Sequence, residues 1–173
     1  MSTLATIDRG YTLLVRALMV AACLYIAAMM ILIIYYTSFR SMGWSYNRYS
    51  FTVIEYGFIY ALMLGCPWLV RQKAHVYIEL VTALLSDRIR RLWSRGVALI
   101  CAVVCLTLAY YTGLLTWEDY SWNRFDELRG QLDIKRWVVI AAMPVGFGLS
   151  GVEFLRFVFG QSVIHVGEPG VHE

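Results

Sequence analysis

Charged residues are scarce in this chain of 173 residues, where they account for 16% of the sequence while hydrophobic residues account for 60%. An ordinary soluble domain contains about 25% charged residues, so the composition indicates a membrane protein. The net charge of +3 is small, and we expect no nucleic-acid partner. Since neither a Pro/Ser-rich linker nor an internal repeat divides the chain, we predict a single membrane domain over residues 1–173.

Histidine is missing from every long apolar segment, because the three histidines lie at His75, His165 and His172. A four-helix haem b protein ligates its iron with histidines inside the spans, which argues against an anchor subunit of a membrane redox complex. CxxC pairs and Gly-rich phosphate motifs are also missing, which argues against zinc sites, thiol-oxidising proteins and nucleotide chemistry. We expect no enzymatic activity, metal or cofactor in this chain. The cysteines all fall inside apolar runs, at Cys23, Cys66, Cys101 and Cys105.

Long apolar segments are the main feature that the sequence does have. A helix needs about 20 apolar residues to cross a hydrocarbon core about 30 Å thick, and four segments meet this length. Tryptophans lie at or near their ends, where an indole ring prefers the membrane boundary. The first segment continues well past Cys23, so we expect an uncleaved helix and not a signal peptide. We predict an all-α integral membrane protein with spans at 17–39, 51–70, 96–117 and 137–159.

An amphipathic segment lies between the second and third spans, at residues 76–92. At helical spacing one of its faces is apolar and the opposite face is polar. The segment is too charged to cross a bilayer and apolar enough to lie along one, so we predict an interfacial helix. Residues 160–173 are expected to form a short polar tail. The apolar face comprises Tyr77, Val81, Leu84, Leu85 and Leu92.

The distribution of Lys and Arg predicts the orientation of the four spans. Nine of these residues lie on the side that holds both termini and the amphipathic segment, and six lie on the other side. Basic residues are retained in the cytoplasm, so we predict that both termini are cytoplasmic. We expect a multi-pass membrane protein in contact with the lipid bilayer. The six outer residues are Arg40, Arg48, Arg124, Arg129, Lys135 and Arg136.

Small residues recur at four-residue spacing in the spans, which permits close approach of membrane helices. The default interpretation is packing among the four helices of this chain. The sharper hypothesis is that at least one stripe docks a larger partner. The candidate interface positions are Gly57, Ala61 and Gly65 in the second span and Ala142, Gly146 and Ser150 in the fourth, with Glu153 and Arg156 on the same face as the latter.

Three charged residues inside the predicted spans have both structural and functional interpretations. Glu153 and Arg156 are three residues apart, so they are neighbours on one helix face and fit an intrahelical pair near the interface. A proton or ion site is the alternative, because charges in a membrane are often functional. Glu55 lies about one turn inside the second span, where it can snorkel outward, meet the loop from Arg40 to Arg48, or act as a coupling carboxylate.

Two short motifs match a known pattern. One begins at the end of the second span, and the other lies in the fourth span. A glycine ends the second span, a basic residue follows, and a histidine then precedes an apolar/acidic/Leu run. In the fourth span the chain reads apolar-Pro-x-Gly-Phe. This order, with the length and span count, resembles the small membrane subunit of tripartite ATP-independent periplasmic (TRAP) transporters, the DctQ type, although that family commonly has Asp where this chain has Glu79. The matching positions are Gly65, Arg71, His75, Glu79, Pro144 and Gly146.

The resemblance implies a scaffold subunit that works with two partners. These are a large membrane subunit, which carries the substrate and sodium, and a periplasmic substrate-binding protein, whose docking the small subunit supports. It implies symport of an organic acid such as sialic acid or a C4-dicarboxylate. We place the docking surface on the outer side, at Arg40, Arg48, Arg124 and Arg129. The alternative is a self-contained four-helix transporter or channel that uses Glu55 or Glu153.

Overall fold

A computed structural model describes residues 2–44, 48–73, 86–126 and 134–160. Within these ranges the chain forms helices α1 (Ser2–Ser41), α2 (Arg48–Arg71), α3 (Asp87–Ser121), α4 (Arg136–Ile140) and α5 (Ala142–Phe159). Four stretches are long and apolar enough to cross a membrane, the last of them made of α4 and α5 together. The predicted all-α membrane fold is therefore confirmed. The spanning stretches are Asp8–Ser41, Thr52–Arg71, Arg88–Ser121 and Arg136–Phe159.

The four spans pack side by side in an order that differs from their order in the chain. Helix α1 packs mainly on α2, α2 also packs on α5, and α5 packs on α3. The first and third spans lie at the two edges of the layer and are each only 11% buried over their most apolar stretch. The second and fourth spans lie inside the layer and are each only 28% buried. The described part of the chain is therefore an open layer of helices and not a closed bundle. Most of its apolar side chains face lipid or another protein.

Prolines shape both inner spans. A proline has no N–H, so the carbonyl four residues before it loses its helical donor, and the ring also crowds that carbonyl. Pro67 lies inside α2 and leaves the Met63 carbonyl without this donor, while Pro144 does the same to Ile140. The fourth span breaks at Ala141, whose N–H still donates to the Trp137 carbonyl at 3.0 Å. This span is therefore two helices where the hydropathy pattern suggests one.

Helices α1 and α3, at the two edges of the layer, extend beyond the predicted spans. Helix α1 has 40 residues, which at 1.5 Å per residue makes it about 60 Å long, and it starts well before residue 17. Helix α3 starts at Asp87, so residues 87–92 of the predicted interfacial helix run directly into the third span. No proline interrupts this stretch, and Gly96 costs a helix only about 1 kcal/mol. The rest of that predicted helix, and the tail from residue 161, lie outside the described residues.

Candidate functional site

Charged side chains from three helices converge at one end of the layer. Arg71 ends α2, while Glu153 and Arg156 lie in the last two turns of α5. Helix α1 passes the same place with Asp8 and Tyr11, upstream of its apolar stretch. We call these five residues the Glu153 cluster.

Glu153 is the centre of this cluster because its side chain is only 2% exposed. A buried carboxylate needs a cationic partner, since desolvation of an unpaired charge costs several kcal/mol. The nearest cation is Arg71 of α2, whose Nη2 lies 2.9 Å from Glu153 Oε1. Arg156, the neighbour suggested by helical spacing, is farther away, with Nε 3.9 Å from Oε2. The main contact of Glu153 is therefore between helices and not within α5.

Tyr11 and Asp8 attach α1 to the same cluster. Arg156 Nη2 lies 2.7 Å from Asp8 Oδ1. The guanidinium carbons of Arg71 and Arg156 lie 5.4 and 5.5 Å from the centre of the Tyr11 ring, within the range of cation–π attraction. The Tyr11 hydroxyl donates to the Leu149 carbonyl at 3.4 Å. One buried acid and one aromatic ring thus connect three helices, including two that are not neighbours in the layer.

The small residues of the fourth span are buried, and Gly146 lies against α2 of the same chain. Ala142 and Ser150 are buried. A methyl group added to Gly146 would lie 2.6 Å from the Met63 carbonyl oxygen and 2.9 Å from Met63 Cα. That carbonyl is the one that Pro67 deprives of a helical donor. The missing side chain of Gly146 therefore allows two backbones to touch one turn before Pro67.

The other small-residue stripes are also used within the chain. Gly57 lies under the Tyr25 ring of α1, and a methyl group on Gly65 would be 3.7 Å from Ala22. On the opposite edge, Ala98 and Ala102 of α3 are completely buried. These contacts are of the kind that the default interpretation expects, and docking of a larger partner on one of the stripes stays a prediction.

Glu55 lies apart from the Glu153 cluster. It is exposed, on a face of α2 that also presents Phe58, Leu62 and Leu69. Sixteen residues separate it from Arg71 along the helix, which corresponds to about 24 Å. The two carboxylates are thus near opposite ends of the layer, an arrangement that does not form a paired-carboxylate site.

The far end of the layer holds a second buried carboxylate, which we call the Asp119 clamp with its partners Arg124 and Arg136. Asp119 is completely buried, with Oδ1 3.5 Å from Arg124 Nη1 and Oδ2 3.2 Å from Arg136 Nε. Arg124 also binds Glu118 at 2.9 Å. Backbone bonds pair the segments on both sides, since the Arg136 N–H donates to the Arg124 carbonyl at 3.0 Å.

The structure describes the surroundings of two of the four predicted docking residues, Arg124 and Arg40. Arg124 is held by two acids, so its charge is largely compensated by this chain. Arg40 is exposed at the end of α1. The side chain of Arg48 and the whole of Arg129 lie outside the described residues. Nothing in the sequence pattern indicates that Asp119 is buried, because a single acid among other charged residues has no periodic signal.

Comparison with known proteins identifies the group to which this architecture belongs. A family model described as tripartite ATP-independent periplasmic transporters, DctQ component, matches residues 29–163. The chain belongs to the DctQ family. The sialic acid TRAP transporter permease protein SiaT of Haemophilus influenzae (strain 86-028NP) is 32% identical over 106 residues, which are 61% of this chain and 16% of that protein. The chain thus matches a small part of a much longer relative. No solved structure gives a significant match.

The structure also locates the positions that suggested a DctQ subunit. Arg71 is the main partner of Glu153, and Gly65 and Gly146 are helix contacts. Pro144 breaks the fourth span and contacts the third, where a methyl group on Gly113 would lie 3.8 Å from its Cβ. His75 and Glu79 lie outside the described residues. Asp8 and Tyr11 were not singled out as site residues from the sequence, although their spacing of three residues on a continuous helix was the available signal.

Proposed function

We propose that this DctQ-family chain is the scaffold of a TRAP-type transporter and does not itself carry substrate. On this proposal it holds a large membrane subunit during sodium-driven uptake of an organic acid that a periplasmic binding protein delivers. The sodium site belongs to the large subunit. The complex lies in the bacterial inner membrane with both termini of this chain in the cytoplasm.

The open layer of helices is the observation that carries this proposal. Its spans are mostly unburied within the chain, yet a polytopic protein gains stability by packing helices against each other. Charged groups of the described spans lie near helix ends, and the buried ones are paired inside the chain. A secondary transporter normally has a polar site near mid-depth, between broken helices in repeated halves. This arrangement favours a companion of a transporter over a transporter.

The substrate is proposed by analogy alone. The name of the matching relative specifies sialic acid, so we propose a sialic acid or a related carboxylate, with a C4-dicarboxylate as the next candidate.

Reconstitution into proteoliposomes tests the scaffold proposal. The chain alone should show no sodium-driven uptake of labelled sialic acid or dicarboxylate. Uptake should appear when the large subunit and its binding protein are added, and the two membrane proteins should co-purify from native membranes. Uptake by the chain alone, lost in Glu55→Gln, would instead support the self-contained transporter.

A further inference from the structure

A cavity of about 640 Å³ lies beside the Glu153 cluster. This volume is within the range of about 300–1,000 Å³ that is typical of small-molecule sites. Arg71, Arg156, Glu153 and Thr12 line its polar part, and Phe157 and Phe159 line its apolar part. Phe159 is the last residue of the fourth span and is 84% exposed. The cavity is therefore at the level where hydrocarbon gives way to headgroups.

The charges around this cavity favour an anion. Arg71, Arg156 and Lys73 provide three cations, because Lys73 Nζ lies 5.9 Å from the centre of the Phe157 ring that lines the cavity. The described acids near them are Glu153 and Asp8. Glu153 is buried against Arg71, while Asp8 is 58% exposed and pairs with Arg156. An entering anion can thus share Arg156 with Asp8 or replace it, whereas Glu153 remains in place.

We infer that this cavity binds the phosphate of an anionic phospholipid headgroup. Arginine binds phosphate through charge-assisted and often bidentate hydrogen bonds, and basic pockets between spans bind anionic headgroups. The aromatic side gives the acyl chains a surface beside the fourth span. The lipid then joins α1, α2 and α5 at the membrane surface. This inference does not depend on the transport proposal, because it concerns the chain and the bilayer alone.

The test measures lipid binding to the purified full chain, by native mass spectrometry and by the lipid dependence of thermal unfolding. Phosphatidylglycerol is compared with phosphatidylcholine of the same acyl chains and with inorganic phosphate. We expect phosphatidylglycerol to bind about tenfold more tightly than phosphatidylcholine, because the anionic headgroup has no opposing charge. Inorganic phosphate should have little effect. Binding of inorganic phosphate as tight as that of phosphatidylglycerol would overturn the lipid assignment in favour of a soluble anion.

Two variants remove the same ion pair and are expected to have opposite effects. Arg156→Gln removes a phosphate ligand and should weaken phosphatidylglycerol binding about tenfold. Asp8→Asn removes the competing acid and should strengthen it. Arg95→Gln, at an exposed arginine outside the cavity, is the control and should leave binding unchanged. If Asp8→Asn weakens binding as Arg156→Gln does, or if Arg95→Gln matches Arg156→Gln, the inference is wrong.

Discussion

The two ends of the layer each contain a buried carboxylate beside two arginines, yet the two groups are built differently. Glu153 draws its closest partner, Arg71, from another span, and Arg156 connects the group to α1. Asp119 draws Arg124 and Arg136 from the segments that leave α3 and enter α4. The first group therefore connects spans that are distant in sequence. The second joins the two described ends of a single connection.

This difference predicts different consequences when the buried acid of each group is removed. Loss of Glu153 removes a contact between helices and leaves a partly buried Arg71 without its acid. Loss of Asp119 leaves two arginines that are 43% and 45% exposed, and water can solvate them. Loss of Glu153 is thus expected to affect assembly of the whole layer. Loss of Asp119 is expected to affect the shape of one surface.

The largest effect on folding is expected between the two ends of the layer, at a helix contact that involves no charged side chain. Gly146→Leu places a side chain against the Met63 backbone, which cannot move without displacing α2. We expect most of the protein to be lost from the folded fraction in detergent, measured by size-exclusion chromatography. Val139→Leu is the control and should fold normally. A folded Gly146→Leu protein would mean that the α2–α5 contact does not hold the layer together.

The next largest effect is expected at the Glu153 cluster. Glu153→Gln should lower the free energy of unfolding by about 3 kcal/mol, because a buried ion pair loses one partner. Unfolding in mixed micelles measures this change. Glu118→Gln serves as the control, since Glu118 is 50% exposed and an exposed pair contributes only about 0–1 kcal/mol. Equal effects of the two substitutions would remove the distinction between a buried and an exposed pair.

Asp119→Asn is expected to change the stability of the whole protein less than Glu153→Gln does. The substitution should speed trypsin cleavage between residues 124 and 136 while changing the midpoint of unfolding less than Glu153→Gln does. The reason is that the clamp orders one connection, and local opening requires less free energy than unfolding of the layer. If Asp119→Asn lowers the midpoint more than Glu153→Gln, the proposed division between the two ends is reversed.

Hydropathy was sufficient to predict the four spans, because a membrane requires long apolar segments whatever their packing. The family positions were also visible, since Gly65, Arg71, Pro144 and Gly146 occur at fixed places along the chain. Their physical roles were not visible. The contact between Gly146 and the Met63 carbonyl depends on the position of Pro67 in a different helix, and no spacing within one segment reveals it.

The partner of Glu153 shows the same limit. Helical spacing suggested Arg156, and the structure places Arg71 closer. The pairing within one helix is a local geometric rule, while the choice between two arginines depends on how α2 and α5 pack. The continuous start of α3 was missed for a related reason, since an amphipathic pattern does not specify where a helix leaves the membrane surface.

Uptake per assembled transporter, measured for Glu153→Gln, Arg71→Gln and the double variant, tests most directly whether the buried charges are structural. The complete complex is reconstituted, and sodium-driven uptake is divided by the amount of assembled large and small subunits. We predict that each single substitution lowers the amount of complex, that the double variant recovers part of it, and that uptake per complex stays near the wild-type value. Normal assembly of Glu153→Gln with uptake abolished would show that Glu153 takes part in transport and would contradict the scaffold account.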